Sequence, residues 1–275
     1  MDGRILKPGA VAFDLDDTLL RDDLTISEFS VRVLQALHDK GVHIIPASGR
    51  SRFSMKPYVE QIGCVSAYIS SNGAEIWEVP SEHLIFRELL PVGLSLEIAR
   101  FAEAHSCYAQ VYDEDCFYFN RYGPWSERYA SATRLTGVFA GRLSEFIHEP
   151  RNKILLIDSP ERVSSMYAEA VIQFKGRASV TCSKPVYLEF NPLNAVKGRA
   201  LQTACACLGT DAAHTVAFGD SLNDLTMLQS AGLGVMVSNG WQEIRQYCDD
   251  VCLSNNEDGP AHYLNQHFLN GEVDP

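Results

Sequence analysis

The sequence predicts an α/β fold, a parallel sheet covered by helices on both faces and interrupted by an inserted α+β unit. Three observations lead there. Short apolar runs of strand formers alternate with amphipathic stretches near both ends of the chain. That alternation breaks off near residue 82 and resumes near 188. The residues between are richer in Tyr, Phe and Arg, as in YAQVYDEDCFYFNRYGPW (108–125). The expected division is a core of residues 1–82 and 188–275 with an insertion at 83–187.

AVAFDL (10–15) is a run suited to a strand buried on both faces. A helix follows at 26–40, with Thr25 and Glu28 at capping-box spacing. Its apolar face is Ile26, Phe29, Val33, Leu34 and Leu37, and Gly41 stops it. HIIPAS (43–48) is the next strand, in which Pro46 removes one ladder donor. A helix at 51–62 ends at Gly63, and AYIS (67–70) is a strand. Inside the insertion, KILLID (153–158) and VYLEF (186–190) predict strands, with a helix at 160–174. Past it, helix 197–208 carries Ala200, Leu201, Ala204 and Leu208 on one face and stops at Gly209. Strand TVAFG (215–219), helix 223–232, strand LGVMV (233–237) and a helical stretch at 240–248 complete the pattern.

The 275 residues are 46% hydrophobic and 21% charged, a globular composition with ample material for a core. The net charge of −12 disfavours nucleic acid and anionic lipid as partners. No apolar run reaches the length of a membrane span, and the first residues do not read as a secretory signal. Eight cysteines contain no CxxC pair, and a chain this apolar needs no staples. Free thiols in a reducing cytoplasm are expected. The eight histidines show no metal-ligand spacing.

Four segments carry chemistry. In VAFDLDDT (11–18), Asp14 and Asp16 lie at the carboxyl end of the first strand, the edge where open parallel sheets bind ligands. In TVAFGDSLND (215–224), Asp220 and Asp224 follow a second apolar strand. If these strands are neighbours, four carboxylates converge, a donor set suited to Mg²⁺. In IIPASGR (44–50), Ser48 and Gly49 offer a hydroxyl and backbone N–H groups to a phosphate oxygen. Lys197 opens a helix, where its charge opposes the dipole and only an anionic neighbour makes it useful. Singly, each has an ordinary reading as a turn, a cap or a solvated face.

In this order the four resemble the motifs of the haloacid dehalogenase superfamily. Asp14-Leu15-Asp16-Asp17-Thr18 matches its DxDx[TV] signature, and Gly219-Asp220-Ser221-Leu222-Asn223-Asp224 matches GDxxND. Ser71-Asn72-Gly73-Ala74 looks like the segment leading into the cap of the Cof-type, sugar-phosphatase-like subfamily IIB, and residues 254–261 look like its C-terminal segment. Asp17 stands where glycine is frequent in that subfamily. The resemblance implies a Rossmann-like core, an α+β cap that sets specificity, and hydrolysis of small phosphorylated metabolites such as sugar phosphates. It implies Asp14 as nucleophile, Asp16 as general acid and base, and Ser48, Gly49, Lys197 and Asn223 at the phosphate. Mg²⁺ would be held by Asp14, the carbonyl of Asp16, and Asp220, with Asp224 beside it. Asn72 and Gly73 would border the substrate, and Tyr118, Arg121, Tyr122 and Trp125 are candidate cap contacts. A monomer or small homo-oligomer is expected. A phosphotransferase on the same scaffold stays open, whereas a pure phosphate sensor needs no nucleophile and a dehalogenase has no use for Asp16.

Overall fold

The computed structural model describes residues 7–113 and 116–275. The core elements are β1 (Ala10–Phe13), α1 (Glu28–Asp39), β2 (His43–Pro46), α2 (Arg52–Ile62), β3 (Ala67–Ser70), β4 (Glu75–Glu78) and β5 (Leu84–Arg87). Next come α3 (Val92–Ala104), β6 (Tyr108–Asp113), β7 (Cys116–Phe119), α4 (Pro124–Thr133) and β8 (Thr136–Phe139). They are followed by α5 (Leu143–Phe146), β9 (Ile154–Ile157), α6 (Pro160–Gln173), β10 (Ala178–Thr181) and β11 (Tyr187–Pro192). The chain ends with α7 (Lys197–Cys207), β12 (Thr215–Gly219), α8 (Leu225–Ser230), β13 (Leu233–Val237), β14 (Asp250–Cys252) and α9 (Gly259–Phe268).

Among the described residues, the core sheet has the order β14-β13-β12-β1-β2, and each neighbouring pair is parallel. This is the Rossmann-like α/β core, and an α+β cap is inserted into it. β1 lies between β12 and β2 with all four residues buried, as an uninterrupted apolar strand must be when helices cover both faces. One face packs Val11 and Phe13 with α1 and α9 residues such as Phe29, Val33 and Leu264. The other packs Ala10 and Ala12 with Leu201, Ala204 and Leu228. The strand order turns between β1 and β12, a crevice where open α/β sheets bind ligands.

The hairpin strands β3, β4 and β5 extend this edge. β3 joins β2 through an Ala47–Ile69 bridge, with Ser48 N donating to Ile69 O at 2.9 Å. Pro46 accounts for the thinness of that junction. Backbone N–H directions alternate along a strand, and Ala47 N donates to β1 while Ser48 N donates to β3. Pro46 therefore faces β3 with no N–H to give.

The cap sheet has the order β10-β11-β9-β6-β7-β8 and is antiparallel except between β7 and β8. Period-two alternation decides its faces. Ile154 and Leu156 of β9, with Leu188 and Phe190 of β11, pack beneath α3 and α6. Leu155 and Ile157 face the opposite way, with Tyr112 and Tyr129.

Several local expectations shift. The N-cap of α1 is Ser27, whose hydroxyl accepts from Ser30 N at 2.9 Å. Thr25 instead donates to Asp23 Oδ1 at 2.6 Å, so the Thr25/Glu28 capping box does not form. The helix expected from 223 begins at Leu225, because residues 221–224 form a hydrogen-bonded loop. The stretch at 240–248 is a short 3₁₀ turn over Gln242–Tyr247. Cys64, Cys107, Cys182, Cys205, Cys207, Cys248 and Cys252 are free thiols. Among the described residues no helix is long and apolar enough to cross a membrane.

Candidate active site

The parallel register pairs Phe13 with Phe218, and Asp14 N donates to Phe218 O at 3.0 Å. The strand ends thus set Asp14 beside the loop that carries Asp220 and Asp224. Carboxylate oxygens of these three residues lie within 4.8 Å of one another, and all three residues are buried. Lys197, 0% exposed at the start of α7, bridges two of them, with Nζ 2.5 Å from Asp14 Oδ1 and 2.6 Å from Asp224 Oδ1. The second Asp224 oxygen accepts from Asp220 N at 3.0 Å and Ser221 N at 3.1 Å, so this side chain fixes the loop. Gly219 is required beneath it, since a Cβ there would lie 2.5 Å from Asp224 Cβ. Thr18 donates to Asp220 Oδ1 at 3.2 Å.

The charges explain the titration. Burial raises the Asp14 carboxyl to about 8 against the pull of Lys197, and Asp224 and Asp16 add to the rise. Asp220 is raised well above the carboxylate range by burial, then by Asp224 and Asp14. One lysine beside three buried carboxylates leaves negative charge uncompensated. An all-oxygen donor set with that surplus fits a hard divalent cation.

Asp16 lies apart from the three. It is extended (φ −65°, ψ 131°), followed by Asp17 in the left-handed region (φ 58°). That conformation accounts for glycine being suited to position 17, and Asp tolerates it better than most residues. The Asp16 carboxylate receives both Nε and Nη2 of Arg50 at 2.8 Å. Burial alone would raise its pKa, but Arg50 outweighs burial and holds it below the usual carboxylate range. Arg50 also reaches Ser54 Oγ at 3.0 Å and the cap carbonyl of Ala132 at 3.3 Å.

Ser48 is buried and accepts from Arg50 N at 3.1 Å. Asn223 donates to Asn72 Oδ1 at 3.1 Å, and Asn72 donates in turn to Glu189 of β11. Asn72 is left-handed (φ 57°) and Gly73 follows at φ +103°, where a Cβ would lie 2.9 Å from Val196 O. The Ser71–Gly73 turn therefore lets the start of α7 approach closely, while Asn72 reaches β11 of the cap sheet.

A cavity of about 70 Å³ opens over Asp14, Asp16, Ser48, Gly49, Asp220 and Asn223. Its roof is Tyr129, Lys153, Ser183, Lys184, Tyr187 and Glu189 from the cap. Lys153 Nζ donates to Gly49 O at 2.6 Å, and Lys184 stands 3.5 Å from Asp17. These cap residues were missed in the sequence. A signal was present: Lys153 abuts ILLI, and Glu189 interrupts the apolar run YLEF. None of Tyr118, Arg121, Tyr122 and Trp125 lines this cavity. Tyr118 packs in a tilted pair with Phe146, ring centroids 4.7 Å apart, and the other three border a separate cavity with Tyr108 and Ile157. The reason is sheet order. β7 lies toward the far edge of the cap sheet, while β9 and β11 carry Leu155, Tyr187 and Glu189 to the site.

The family model of haloacid dehalogenase-like hydrolases matches residues 11–264. The chain is 28% identical over 275 residues to a 5-amino-6-(5-phospho-D-ribitylamino)uracil phosphatase of Bacillus subtilis, covering 95% of this chain and 98% of that one. A crystal structure from Thermotoga maritima is 31% identical, with a TM-score of 0.78 over 94% of this chain and 97% of the other. A subclass IIB sugar phosphatase is 19% identical and shares the fold, with a TM-score of 0.83 over 94% of this chain and 98% of that one. The chain belongs to the haloacid dehalogenase-like hydrolase family and has the fold of its subclass IIB.

Proposed function

We propose that this protein is a Mg²⁺-dependent phosphatase that hydrolyses small phosphorylated metabolites, sugar phosphates or similar monoesters, through a phosphoaspartate on Asp14. The observation that carries the reading is the buried Asp14, Asp220 and Asp224 cluster, tied by Lys197 at the floor of the cavity. Support also comes from the phosphatase names of its relatives. Turnover of a chromogenic aryl phosphate with Mg²⁺, abolished by EDTA, tests it. Hydrolysis that is unaffected by chelation would overturn the metal-dependent reading.

In this mechanism the Asp14 carboxylate attacks phosphorus in line and the ester oxygen leaves. Ser48, the Gly49 segment and Lys197 hold the phosphoryl oxygens, which is positioning and charge stabilisation. Asn223 and Asn72 brace the loops that carry these groups. Mg²⁺, held by Asp14, the Asp16 carbonyl and Asp220 with Asp224 nearby, would offset the negative charge shared by carboxylate and phosphate. Arg50 keeps Asp16 ionised, the form that deprotonates the water attacking the intermediate. To protonate the leaving alkoxide, Asp16 must first leave Arg50 and take up a proton from solvent, and the carboxylate formed by that donation then accepts the proton of the attacking water. The cap, whose sheet runs from β6 to β11 and so reaches past residue 187 to Glu189, closes over the leaving group, while the parallel-sheet core supplies the chemistry.

The metal leaves a signature in pH. A carboxyl whose folded pKa lies above its unfolded value stabilises the fold below the unfolded value. That contribution is lost as pH rises toward the folded value. For Asp14 the window runs from 3.8 to about 8. Mg²⁺ displaces these protons, so it binds better as pH rises. At a hundredfold excess over Kd, Mg²⁺ is expected to raise Tm by roughly 5 °C at neutral pH. The gain should shrink toward about pH 5. Asp220→Ala should remove most of it, and an undiminished Mg²⁺ effect in that variant would place the ion elsewhere.

Specificity is expected from Lys184, Ser183, Tyr129 and Tyr187 on the roof. Lys184→Ala should lower kcat/KM roughly tenfold for substrates with polar or anionic leaving groups. A small aryl phosphate should lose much less. Comparing several sugar phosphates with the aryl ester checks this, and a uniform loss would point to impaired closure instead.

A further inference from the structure

Arg151 stands just before β9, at the junction of core and cap. It is 8% exposed, yet among the described residues its guanidinium makes no hydrogen bond or ion pair, and its Nε is buried with no acceptor. Its side chain meets the ring of Phe146 at 5.6 Å. A guanidinium is permanently charged, and here the Phe146 ring gives it only a cation–π contact while its buried Nε is left without an acceptor. The arrangement calls for an anion.

Arg151 borders a cavity of about 210 Å³ that shares no lining residue with the one over Asp14. At about 30 Å³ per water, it has room for a tetrahedral oxyanion and its solvent. The core side contributes the N-terminus of α2, with Ser51, Arg52 and Phe53 on the wall. The first N–H groups of a helix have no partner within it, and they favour an anion. Arg52 is held over the Trp77 ring at 3.8 Å and paired with Glu82.

The buried acid of this wall is engaged elsewhere. Glu75 is buried but already bonded to Arg87 at 2.9 Å and to Ser70 at 3.1 Å. Glu149 and Asp113 also line the cavity but are exposed to solvent. Asn152, on the same wall, has a buried Oδ1 with no donor. A protonated oxyanion supplies both needs, oxygens for the guanidinium and an O–H for the amide oxygen.

We infer that this cavity is a second anion site, built for a hydrogen phosphate or phosphomonoester group. It stands independently of the chemistry proposed at Asp14. Its walls come from both sides of the junction, so a bound anion ties cap to core.

The test is titration of the full chain with inorganic phosphate in EDTA, read by tryptophan fluorescence, with Trp77 as the reporter in the cavity wall. A saturable change is expected that disappears in Trp77→Phe and persists in Ser48→Ala, which alters only the Asp14 cavity. Arg151→Gln should weaken binding at least tenfold, and Arg151→Lys should weaken it less. Arg52→Gln serves if Arg151→Gln does not fold, and it too should weaken phosphate binding. Sulfate, which has no O–H at neutral pH, should bind more weakly than phosphate. A response lost in Ser48→Ala but kept in Arg151→Gln would place phosphate over Asp14 and overturn the inference. No saturable change would mean that the cavity holds only water.

Discussion

Asp14→Asn is expected to lower turnover by roughly three orders of magnitude or more, because an amide oxygen is not the nucleophile that a carboxylate is. The fold should survive. The substitution removes a negative charge from a buried cluster, and Lys197 keeps its 2.6 Å bond to Asp224. Without Mg²⁺, the variant should melt no lower than the parent protein. The measurement is turnover of an aryl phosphate alongside Tm and circular dichroism. Parent-like activity would sink the covalent route, and a collapsed Tm would make the activity loss uninformative. Trapping a phosphorylated protein from the parent chain and not from the variant would complete the case.

Lys197→Met is expected to damage both stability and activity. Lys197 is fully buried and touches two carboxylates, and burial fails to lower its pKa because Asp14 and Asp224 raise it. Truncating one partner of a buried ion pair leaves uncompensated charge, typically at a cost of about 3–5 kcal/mol. The orphaned carboxylates can then become neutral only by taking up protons. The variant should therefore lose most stability near neutral pH and recover part of it as pH falls. Added Mg²⁺ should also restore some stability, since a cation replaces the missing charge. Thermal melts across pH, with and without Mg²⁺, check both effects. A variant as stable as the parent at every pH would show that the lysine does not neutralise the cluster. Catalysis should be lost under all conditions, because Lys197 is also placed to hold the phosphoryl group.

The sequence by itself determined the α/β pattern, and with it the strand ends from which Asp14 and Asp220 project. Uninterrupted apolar runs such as AVAF and TVAFG suit a doubly covered sheet, and their period and length are local properties of the chain. Short-range motifs likewise disclosed Asp14, Ser48, Lys197 and Asp224 as candidates, since each lies within a few residues of a strand end or helix start. Tertiary structure alone decided how these residues pair. Arg50 and Asp16 are 34 residues apart, Lys197 and Asp14 are 183 apart, and no local pattern ties either pair. The cap contacts were illegible for the same reason. The aromatic stretch around Tyr118 to Trp125 was conspicuous in composition, yet sheet order carried it away from the site. Lys153, Lys184 and Glu189 reach the cavity because of strand order and pleat, which arise from pairing between segments far apart in the chain. Arg151 shows the same division: its charge is in the sequence, but its burial with an Nε that has no acceptor exists only in the folded protein.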